Sequence, residues 1–374
     1  MKVICDRAAL VEAVITASGI VSSRTPSPVL KCLKLTATSA DGLVISATDL
    51  EVGLRLSVAE VEVAREGEAA IPADKLGQIA RACEDPTLTI EAEEHAVHIR
   101  GNGSHFKVFG YDPKEFPPVR DFSNVTVDCV ISCGALQTLI SRTLFAAAVE
   151  HSRYAINGVL FERNGHKLRL VATDGRRLAL ASGESSAGEG KRTCIVPTKA
   201  LKLATKLIVD REATVRVAVE DNQIVLAFGR ADESGESAIL SSSLVEGAFP
   251  PFEDVLPKEQ DKRVSFDAAD LGSAIRKAAL LTNEESKGVR MKFANDKLTL
   301  TSRAPEMGEA TVEVSTEDYQ GEPVEIGFNP SFITDALNVV DGGRVIVELK
   351  SPNKPGVLRT GSDFTYVLMP VSLQ

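Results

Sequence analysis

The feature that most constrains this 374-residue sequence is a unit of roughly 120 residues that occurs three times. Each copy opens with a short run of β-branched and apolar residues, followed by apolar residues four positions apart, which is typical of one helix face. The three openings are residues 3–10, 130–136 and 264–271. A chain of this length suits two or three domains, and the repeat favours three domains of one fold.

Three further segments recur in the same order in every copy. A turn with an alternating strand occupies residues 41–49, 164–174 and 295–302; a proline-marked helix start occupies 71–76, 196–201 and 328–333; and a closing proline motif occupies 116–118, 249–251 and 369–370. The spacing is nearly constant, since Leu10 and Leu136 are 126 residues apart and Leu76 and Leu201 are 125 apart. We therefore predict domains at 1–124, 125–257 and 258–374, with the Pro- and acid-rich stretch at 249–261 as a linker.

The repeats predict an α+β fold in which each domain has two helices packed on antiparallel sheets. Predicted helices cover residues 7–18, 73–83, 134–148, 198–209, 268–281 and 330–340.

The charge of the chain is distributed unevenly between these helices and the rest. The whole sequence has 42 Lys or Arg against 52 Asp or Glu, a net charge of −10 that argues against a polyanionic partner. Within the predicted helices, however, nine residues are basic and only four are acidic. Lys199, Lys202 and Lys206 lie on one helix face. A solvated helix surface is the simpler interpretation; a basic wall facing duplex DNA is the functional one, because dispersed Lys and Arg contacts give sequence-independent attraction.

No catalytic motif emerges from the sequence, so we predict that the chain is not an enzyme and needs no metal or cofactor. The five histidines have no metal-ligand spacing, and neither a phosphate-binding loop nor a nucleophile elbow is present. Thr173 and Asp174 resemble a hydrolase motif, but Thr48 and Asp49 repeat it in the first unit, which favours a structural role. A hydrolase or transferase built from the repeat is the rival hypothesis.

Composition also predicts a cytoplasmic, soluble protein. No apolar run reaches the roughly 18 residues of a membrane span. The six scattered cysteines form no CxxC pair and are expected to be reduced thiols.

Several segments are similar to the bacterial DNA polymerase III beta subunit family over essentially the whole chain. They are residues 154–158, 170–178, 247–250, 255–257, 283–284, 288–290 and 366–373. The resemblance implies a DNA sliding clamp: a homodimeric ring of six pseudo-equivalent clamp-type domains, each chain forming half, with helices lining the hole. It also implies that Arg24 and Arg153 reach the DNA backbone. The residues expected to face DNA are Arg7, Arg24, Lys75, Arg81, Arg142, Arg153, Lys199, Lys202, Lys206, Arg276 and Lys277.

The same resemblance implies a cleft where DNA polymerase, clamp-loader subunits and other partners dock a short apolar peptide. The matching residues are Ile156, Thr173, Gly175, Arg176, Arg177, Leu178, Pro250, Val255, Asn329, Phe332, Val367, Leu368, Met369 and Pro370. Methionine and aliphatic side chains suit an adaptable pocket for several partners. The chain departs from the family pattern at Glu253, Asp254, Ser286 and Ser372, and the acidic residues are expected to weaken a peptide rich in Gln, Leu and Phe.

The resemblance further implies a head-to-tail contact between first and third domains of two chains. The matching residues are Lys75, Arg100, Phe106, Leu280, Leu281, Glu306 and Glu309. A heterologous contact of this kind closes into a two-membered ring only when each chain spans half of the circle. A clamp paralogue with a specialised, non-replicative set of partners is the alternative within the same family.

Overall fold

Helix starts in the structure agree closely with the sequence prediction, whereas the last four α-helices of the described residues end two to four residues earlier than predicted. The computed structural model describes residues 1–22, 24–94, 96–149, 155–187, 190–229, 235–282, 288–316, 318–340 and 342–372. The α-helices within these residues are α1 (Arg7–Ser18), α2 (Ala73–Ala82), α3 (Cys133–Leu144), α4 (Thr198–Leu207), α5 (Ala268–Ala279) and α6 (Pro330–Leu337).

The starts are specified locally by side chains that cap the first turn. The first helix of each repeat follows an Asp or Ser whose side-chain oxygen accepts an amide hydrogen bond: Asp6 from Ala9 at 2.8 Å, Ser132 from Ala135 at 3.2 Å, and Asp267 from Ala269 at 2.8 Å. The ends are less well specified. After α5, for example, the amide of Leu280 donates to Lys277 O at 3.3 Å, a tighter turn that ends the α-helix although the apolar pattern continues.

Each repeat contributes a similar series of strands. In the first repeat they are β1 (Lys2–Asp6), β2 (Cys32–Thr38), β3 (Gly42–Thr48), β4 (Val52–Val58), β5 (Val61–Arg65), β6 (Gly67–Pro72), β7 (Thr87–Glu93), β8 (Ala96–Gly101) and β9 (Ser104–Phe109). In the second they are β10 (Cys129–Ser132), β11 (Gly158–Asn164), β12 (Lys167–Thr173), β13 (Arg177–Glu184), β14 (Ser186–Ala187), β15 (Lys191–Pro197), β16 (Thr214–Val219), β17 (Gln223–Gly229) and β18 (Glu236–Ser243). In the third they are β19 (Lys262–Asp267), β20 (Val289–Phe293), β21 (Lys297–Ala304), β22 (Gly308–Ser315), β23 (Val324–Phe328), β24 (Arg344–Leu349), β25 (Gly356–Thr360) and β26 (Phe364–Leu368).

Internal contacts divide the chain into two compact units, and the division runs through the central repeat. Unit 1 comprises Met1–Gln137, Ser185–Arg192 and Lys199–Leu244, and unit 2 comprises Thr138–Glu184, Thr193–Thr198 and Val245–Gln374. Unit 1 contains a five-stranded sheet, β5-β1-β7-β8-β9, and a nine-stranded sheet, β14-β10-β16-β17-β18-β4-β3-β2-β6. Unit 2 contains a four-stranded sheet, β22-β21-β20-β23, and an eight-stranded sheet, β15-β11-β12-β13-β26-β25-β24-β19. In the eight-stranded sheet, only the first two residues of β15 belong to unit 1.

The two long sheets are each built from two repeats joined edge to edge. In unit 1, β4 pairs antiparallel with β18, with Val52 opposite Ser242. In unit 2, β13 pairs antiparallel with β26, with Arg177 opposite Leu368. The fourth strand of one repeat therefore meets the last strand of the next in both cases. This α+β architecture of three similar domains confirms the predicted fold class.

The buried cores are made largely of aliphatic side chains from both sides of these joints. In unit 2, Leu178, Phe252 and Val367 pack in one cluster with Leu160 and Val171. All six cysteines lie among the described residues; they are buried and form no disulfide with one another.

Candidate functional site

The residues from Thr173 to Arg177 form a turn that is fixed by its own side chains. The Thr173 hydroxyl donates to Arg177 O at 2.6 Å and accepts from the amide of Gly175 at 3.1 Å. Asp174 Oδ1 accepts from the amides of Arg176 and Arg177 at 2.9 and 3.1 Å. Gly175 has φ +85°, a conformation that favours glycine. The Thr-Asp pair thus has the structural role that its repetition predicted, because Thr48 and Asp49 make the equivalent bonds in unit 1.

The chain that follows β26 lies beside this turn within unit 2. The amide of Met369 donates to Arg176 O at 2.9 Å, which continues the β13–β26 ladder by one residue. The neighbouring residues Leu178, Val367 and Leu368 are buried, whereas the Met369 side chain is 41% exposed. A cavity of about 550 Å³ borders Met369 and Pro370. The available apolar surface is therefore provided by Met369, and the buried residues support it.

Arg177 connects the turn to α6. Its guanidinium forms ion pairs with Asp174 at 3.0 Å and Asp335 at 2.6 Å. It also lies over the ring of Phe332, with Cζ 4.4 Å from the ring centroid. Burial alone would lower the pKa of Arg177, but Asp335 and Asp174 raise it above its ordinary value, so the side chain stays charged.

Two further predicted cleft residues stand at the start of α6. The Asn329 side chain caps the helix by accepting from the amide of Ser331 at 3.0 Å. The hydroxyl of Tyr366 donates to Phe332 O at 2.9 Å, and burial raises the pKa of Tyr366, so this donor remains protonated. These bonds fix the position of the Phe332 backbone.

Of the remaining cleft residues, Ile156 precedes β11, and Pro250 and Val255 flank a short 3-10 helix, Phe252–Asp254. Ile156 is buried, Pro250 is half-buried and Val255 is exposed. The expected acidic rim is partly neutralised, because Glu253 forms an ion pair with Arg169 at 3.1 Å. Arg169 also pairs with the buried Glu162, and these two acids raise its pKa against the lowering effect of burial.

Most of the helix cations that were predicted to face DNA are exposed. The exposed ones are Lys75, Arg81, Lys199, Lys202, Lys206, Arg276 and Lys277. Arg24 is also exposed, in the loop before β2. Lys199 forms an ion pair with Asp49, and Lys75 lies 3.4 Å from the neighbouring Asp74. Arg153 and Ser286 lie outside the described residues.

Two arginines that were predicted to face DNA are less exposed than these cations. The side chain of Arg142 is only 13% exposed, pairs with Asp363 at 2.7 Å and lies over the ring of Phe364. Arg7 is half-buried, and its Nε donates to Asp85 O at 3.0 Å. Both side chains stabilise the unit that contains them, which does not fit a DNA-facing role for Arg142.

The predicted subunit-contact residues lie at two sheet edges, β9 in unit 1 and β22 in unit 2. Among the described strands, β9 pairs only with β8, and β22 only with β21. On β9, Phe106 is half-buried. Beside β22, Leu280 is 77% exposed. The Leu281 side chain lies close to Gly308 at the start of β22, 3.9 Å from where a Cβ atom would stand on that glycine.

Two charged members of this predicted contact, Arg100 and Glu309, already form ion pairs within the chain. Arg100 pairs with Glu91 at 2.6 Å, and Glu309 pairs with Arg303 at 3.2 Å. Glu306 is exposed.

Sequence reasoning missed several residues that complete these surfaces. Phe109 on β9 and Met307 before β22 are exposed apolar side chains at the two edges. Phe109 lies three positions after Phe106 in β9 and therefore on the opposite face of the strand, so alternation from Phe106 could not have indicated it. Asp335 is one of the four acidic residues in the predicted helices, and the sequence alone gives it no further role. Its partner Arg177 is 158 positions away, so no local pattern could reveal their contact.

The described residues also bear on two other classes of site, metal centres and membrane spans. Among these residues, no cluster of three or more His, Cys, Asp or Glu side chains is arranged to hold a metal ion. In the same part of the chain, none of the helices has the length and apolar character needed to cross a membrane.

Comparison with known proteins assigns the chain to one family along its whole length. Residues 1–120, 131–251 and 253–372 match the N-terminal, central and C-terminal domains of the DNA polymerase III beta subunit. The beta sliding clamp of Pseudomonas putida is 34% identical over 372 residues, covering 98% of this chain and 99% of the relative. That of Vibrio cholerae is 32% identical over 378 residues, with full coverage of both chains.

A solved structure agrees with these matches. The crystal structure of the DNA polymerase III subunit beta from Pseudomonas aeruginosa superimposes with a TM-score of 0.90 at 33% identity, covering both chains completely. The relatives are named as clamps and polymerase subunits, which agrees with the prediction of a non-catalytic protein. The chain belongs to the DNA polymerase III beta subunit family, the bacterial sliding clamps.

Proposed function

We propose that two copies of this chain close head to tail as a ring around duplex DNA and tether a DNA polymerase to it. The observation that carries the proposal is the pattern of strand edges. β4 pairs with β18, and β13 pairs with β26, so the fourth strand of one repeat joins the last strand of the next. β22 is the corresponding strand of the third repeat and β9 that of the first. Each lacks such a neighbour among the described strands.

A second copy supplies the missing neighbour for both edges. Because β9 and β22 belong to opposite ends of the chain, their pairing is heterologous and must close into a ring or continue as a filament. The family resemblance favours closure by two chains. Open edges of this kind otherwise promote uncontrolled association.

The chemistry of the two edges is complementary. Phe106 and Phe109 on β9 provide apolar surface, as do Leu280 and Met307 beside β22. The exposed charged residue of β9 is Lys107, whereas Glu309 and Glu313 are exposed on β22. Opposite charges at the rim guide the approach of two such edges, and the apolar centre provides most of the affinity.

The exposed helix cations support a DNA-facing role. We retain the seven exposed helix residues, together with Arg24, and we leave Arg142 out of this set because it is buried in an ion pair. Arg7 contributes at most through its partly exposed guanidinium. Contacts of lysine and arginine with phosphates attract DNA without reading its sequence, which a sliding protein requires.

Partners are proposed to dock at the cleft formed by the Thr173–Arg177 turn, the start of α6 and the residues after β26. Its exposed apolar centre is Met369, supported from below by Leu178 and Val367. A short apolar peptide from polymerase or clamp-loader subunits fits this surface. Titration of a synthetic peptide rich in Gln, Leu and Phe against wild type and Met369→Ala tests the site, and identical curves would reject it.

We also propose domain boundaries at 124 and 257: the first falls between the matched ranges 1–120 and 131–251, whereas the second lies four residues inside the range 253–372. A cytoplasmic location is supported by the six buried cysteines, which form no disulfide and so suit a reducing compartment.

Retention on circular DNA is the decisive test of the ring. After loading by a clamp loader, the chain should stay on nicked circular DNA and be lost when the same DNA is linearised. Equal retention on both forms would contradict the proposal. Measurement of mass in solution complements it, because a closed ring requires twice the chain mass of 39.9 kDa.

A further inference from the structure

Arg177 and Asp335 form an ion pair in which the arginine is largely buried and the aspartate is 40% exposed. The arginine side chain is 11% exposed, and its three donor positions are all used: Nε on Asp174, Nη1 on Asp335 and Nη2 on Phe145 O at 2.8 Å. Asp335 is the partner from α6. Arg177 and its partners therefore hold together the turn before β13, the first residue after α3 and the second half of α6, all within unit 2.

The first repeat junction has aliphatic residues at the positions of Arg177 and Asp335, although another ion pair, Lys199–Asp49, joins its turn to α4. Val52 is the counterpart of Arg177, because the Thr48 hydroxyl donates to Val52 O as that of Thr173 donates to Arg177 O. Leu203 is the counterpart of Asp335, since both are the sixth residue of their helix. Val52 and Leu203 are both buried aliphatic residues.

An apolar pair at such a position is usually as stabilising as an ion pair or more so, because burying two charges costs much of their attraction. A different reason is therefore needed for the charged pair at the second junction. That junction is where the peptide cleft lies, and Arg177 covers the ring of Phe332, one of its walls.

We infer that Asp335 is a positioning residue of the peptide cleft: it holds the Arg177 guanidinium against Phe332 and so fixes the aromatic wall that the peptide contacts. This inference rests on the proposed function of the cleft. Asp335 acts through Arg177 and Phe332 and does not itself need to touch the peptide. When its charge is removed, Arg177 is free to leave the ring and Phe332 gains rotational freedom that binding must then suppress.

The chain contains a closely matched control, Arg142–Asp363, in the same unit. Its distance is 2.7 Å against 2.6 Å, its arginine is similarly buried, and its aspartate is 48% exposed against 40% for Asp335. Arg142 also lies over an aromatic ring, that of Phe364. Asp363→Asn therefore reproduces the loss of a comparable ion pair without altering Phe332.

The experiment compares Asp335→Asn, Asp335→Glu and Asp363→Asn in the full chain, using the labelled Gln-, Leu- and Phe-rich peptide and thermal denaturation of each variant. Both Asn variants should lower Tm, but only Asp335→Asn should weaken peptide binding, by about tenfold. Asp335→Glu should restore part of the affinity. Equal affinity of the two Asn variants would overturn the inference.

A double-mutant cycle separates positioning from a general loss of stability. If Asp335 acts through the aromatic wall, adding Asp335→Asn to Phe332→Ala should weaken binding no further. Additive losses would refute this route. If the proposed peptide-binding function of the cleft were wrong, wild type and Met369→Ala would bind the peptide equally or not at all. That outcome differs from the one that would refute the role of Asp335 alone.

Discussion

The amide of Ser243 donates to the carbonyl oxygen of Glu51 at 2.8 Å, which is the same bond that Met369 makes with Arg176 O at 2.9 Å. The backbones of the two repeat junctions are therefore equivalent at this point, but their side chains are not. Ser241, Ser242 and Ser243 follow the first junction, where the second has Val367, Leu368 and Met369. A pocket of about 380 Å³ beside these serines is correspondingly polar.

This difference predicts that each chain binds one peptide. Isothermal titration of the Gln-, Leu- and Phe-rich peptide should give one site per chain, because the first junction lacks an apolar wall. Met369→Ser converts the cleft residue to its counterpart and should weaken binding by about 1 to 2 kcal/mol, since an apolar contact is lost. Ser243→Ala is the matched control and should bind like wild type. Two sites per chain would contradict the prediction.

The proposed contact between β9 and β22 predicts that Leu280→Asp prevents dimer formation. Leu280 is already exposed in the single chain, so the substitution should leave folding intact. Within a closed ring it would bury an unpaired charge, which costs several kcal/mol. Light scattering should then give a mass of 39.9 kDa for the variant and twice that for wild type. Val209→Asp changes another exposed apolar residue away from both edges and should remain dimeric; a dimeric Leu280→Asp would argue against the seam.

The basic face of α4 predicts a measurable change in the salt dependence of DNA binding. Lys202 and Lys206 are exposed, and no acidic residue occurs in this helix. Replacing both by Gln should reduce the slope of log K against log salt by about 1.8, since each phosphate contact contributes about 0.9. Fluorescence anisotropy with a short duplex gives this slope.

The control for that experiment replaces Lys292 and Lys297, which lie on β20 and β21. This variant has the same net charge as the α4 variant but should keep the wild-type slope. Equal changes in both variants would indicate a general effect of net charge and would contradict a DNA-facing α4.

Two buried thiols predict slow alkylation of the folded protein. Burial raises the pKa of Cys5 and of Cys32 to about 12. Because the thiolate is the reactive form, iodoacetamide at pH 8 should label both slowly until guanidinium unfolds the chain. Mass spectrometry of peptides containing each cysteine measures the rates, and equal rates with and without guanidinium would contradict the burial of these thiols.

The same pKa values predict a loss of stability in alkali. A folded-state pKa above the unfolded value means that the folded chain binds these protons more tightly. The stabilising contribution of the two thiols is complete below their ordinary pKa of 9.0 and decreases as the pH rises toward 12. Urea midpoints should therefore fall between pH 9 and pH 11, whereas a constant midpoint would oppose this assignment.

The sequence by itself determined the threefold repeat, the helix starts and the excess of cations on helices, because these depend on local periodicity and on caps such as Asp6 and Asp267. Tertiary structure decided which of those cations are available. Arg142 and Lys202 look alike in the sequence, yet Arg142 pairs with Asp363 across 221 positions and Lys202 remains exposed. It likewise brought Asp335 to Arg177. Partners so distant in sequence meet only when strands from different repeats pair, and no local pattern encodes that pairing.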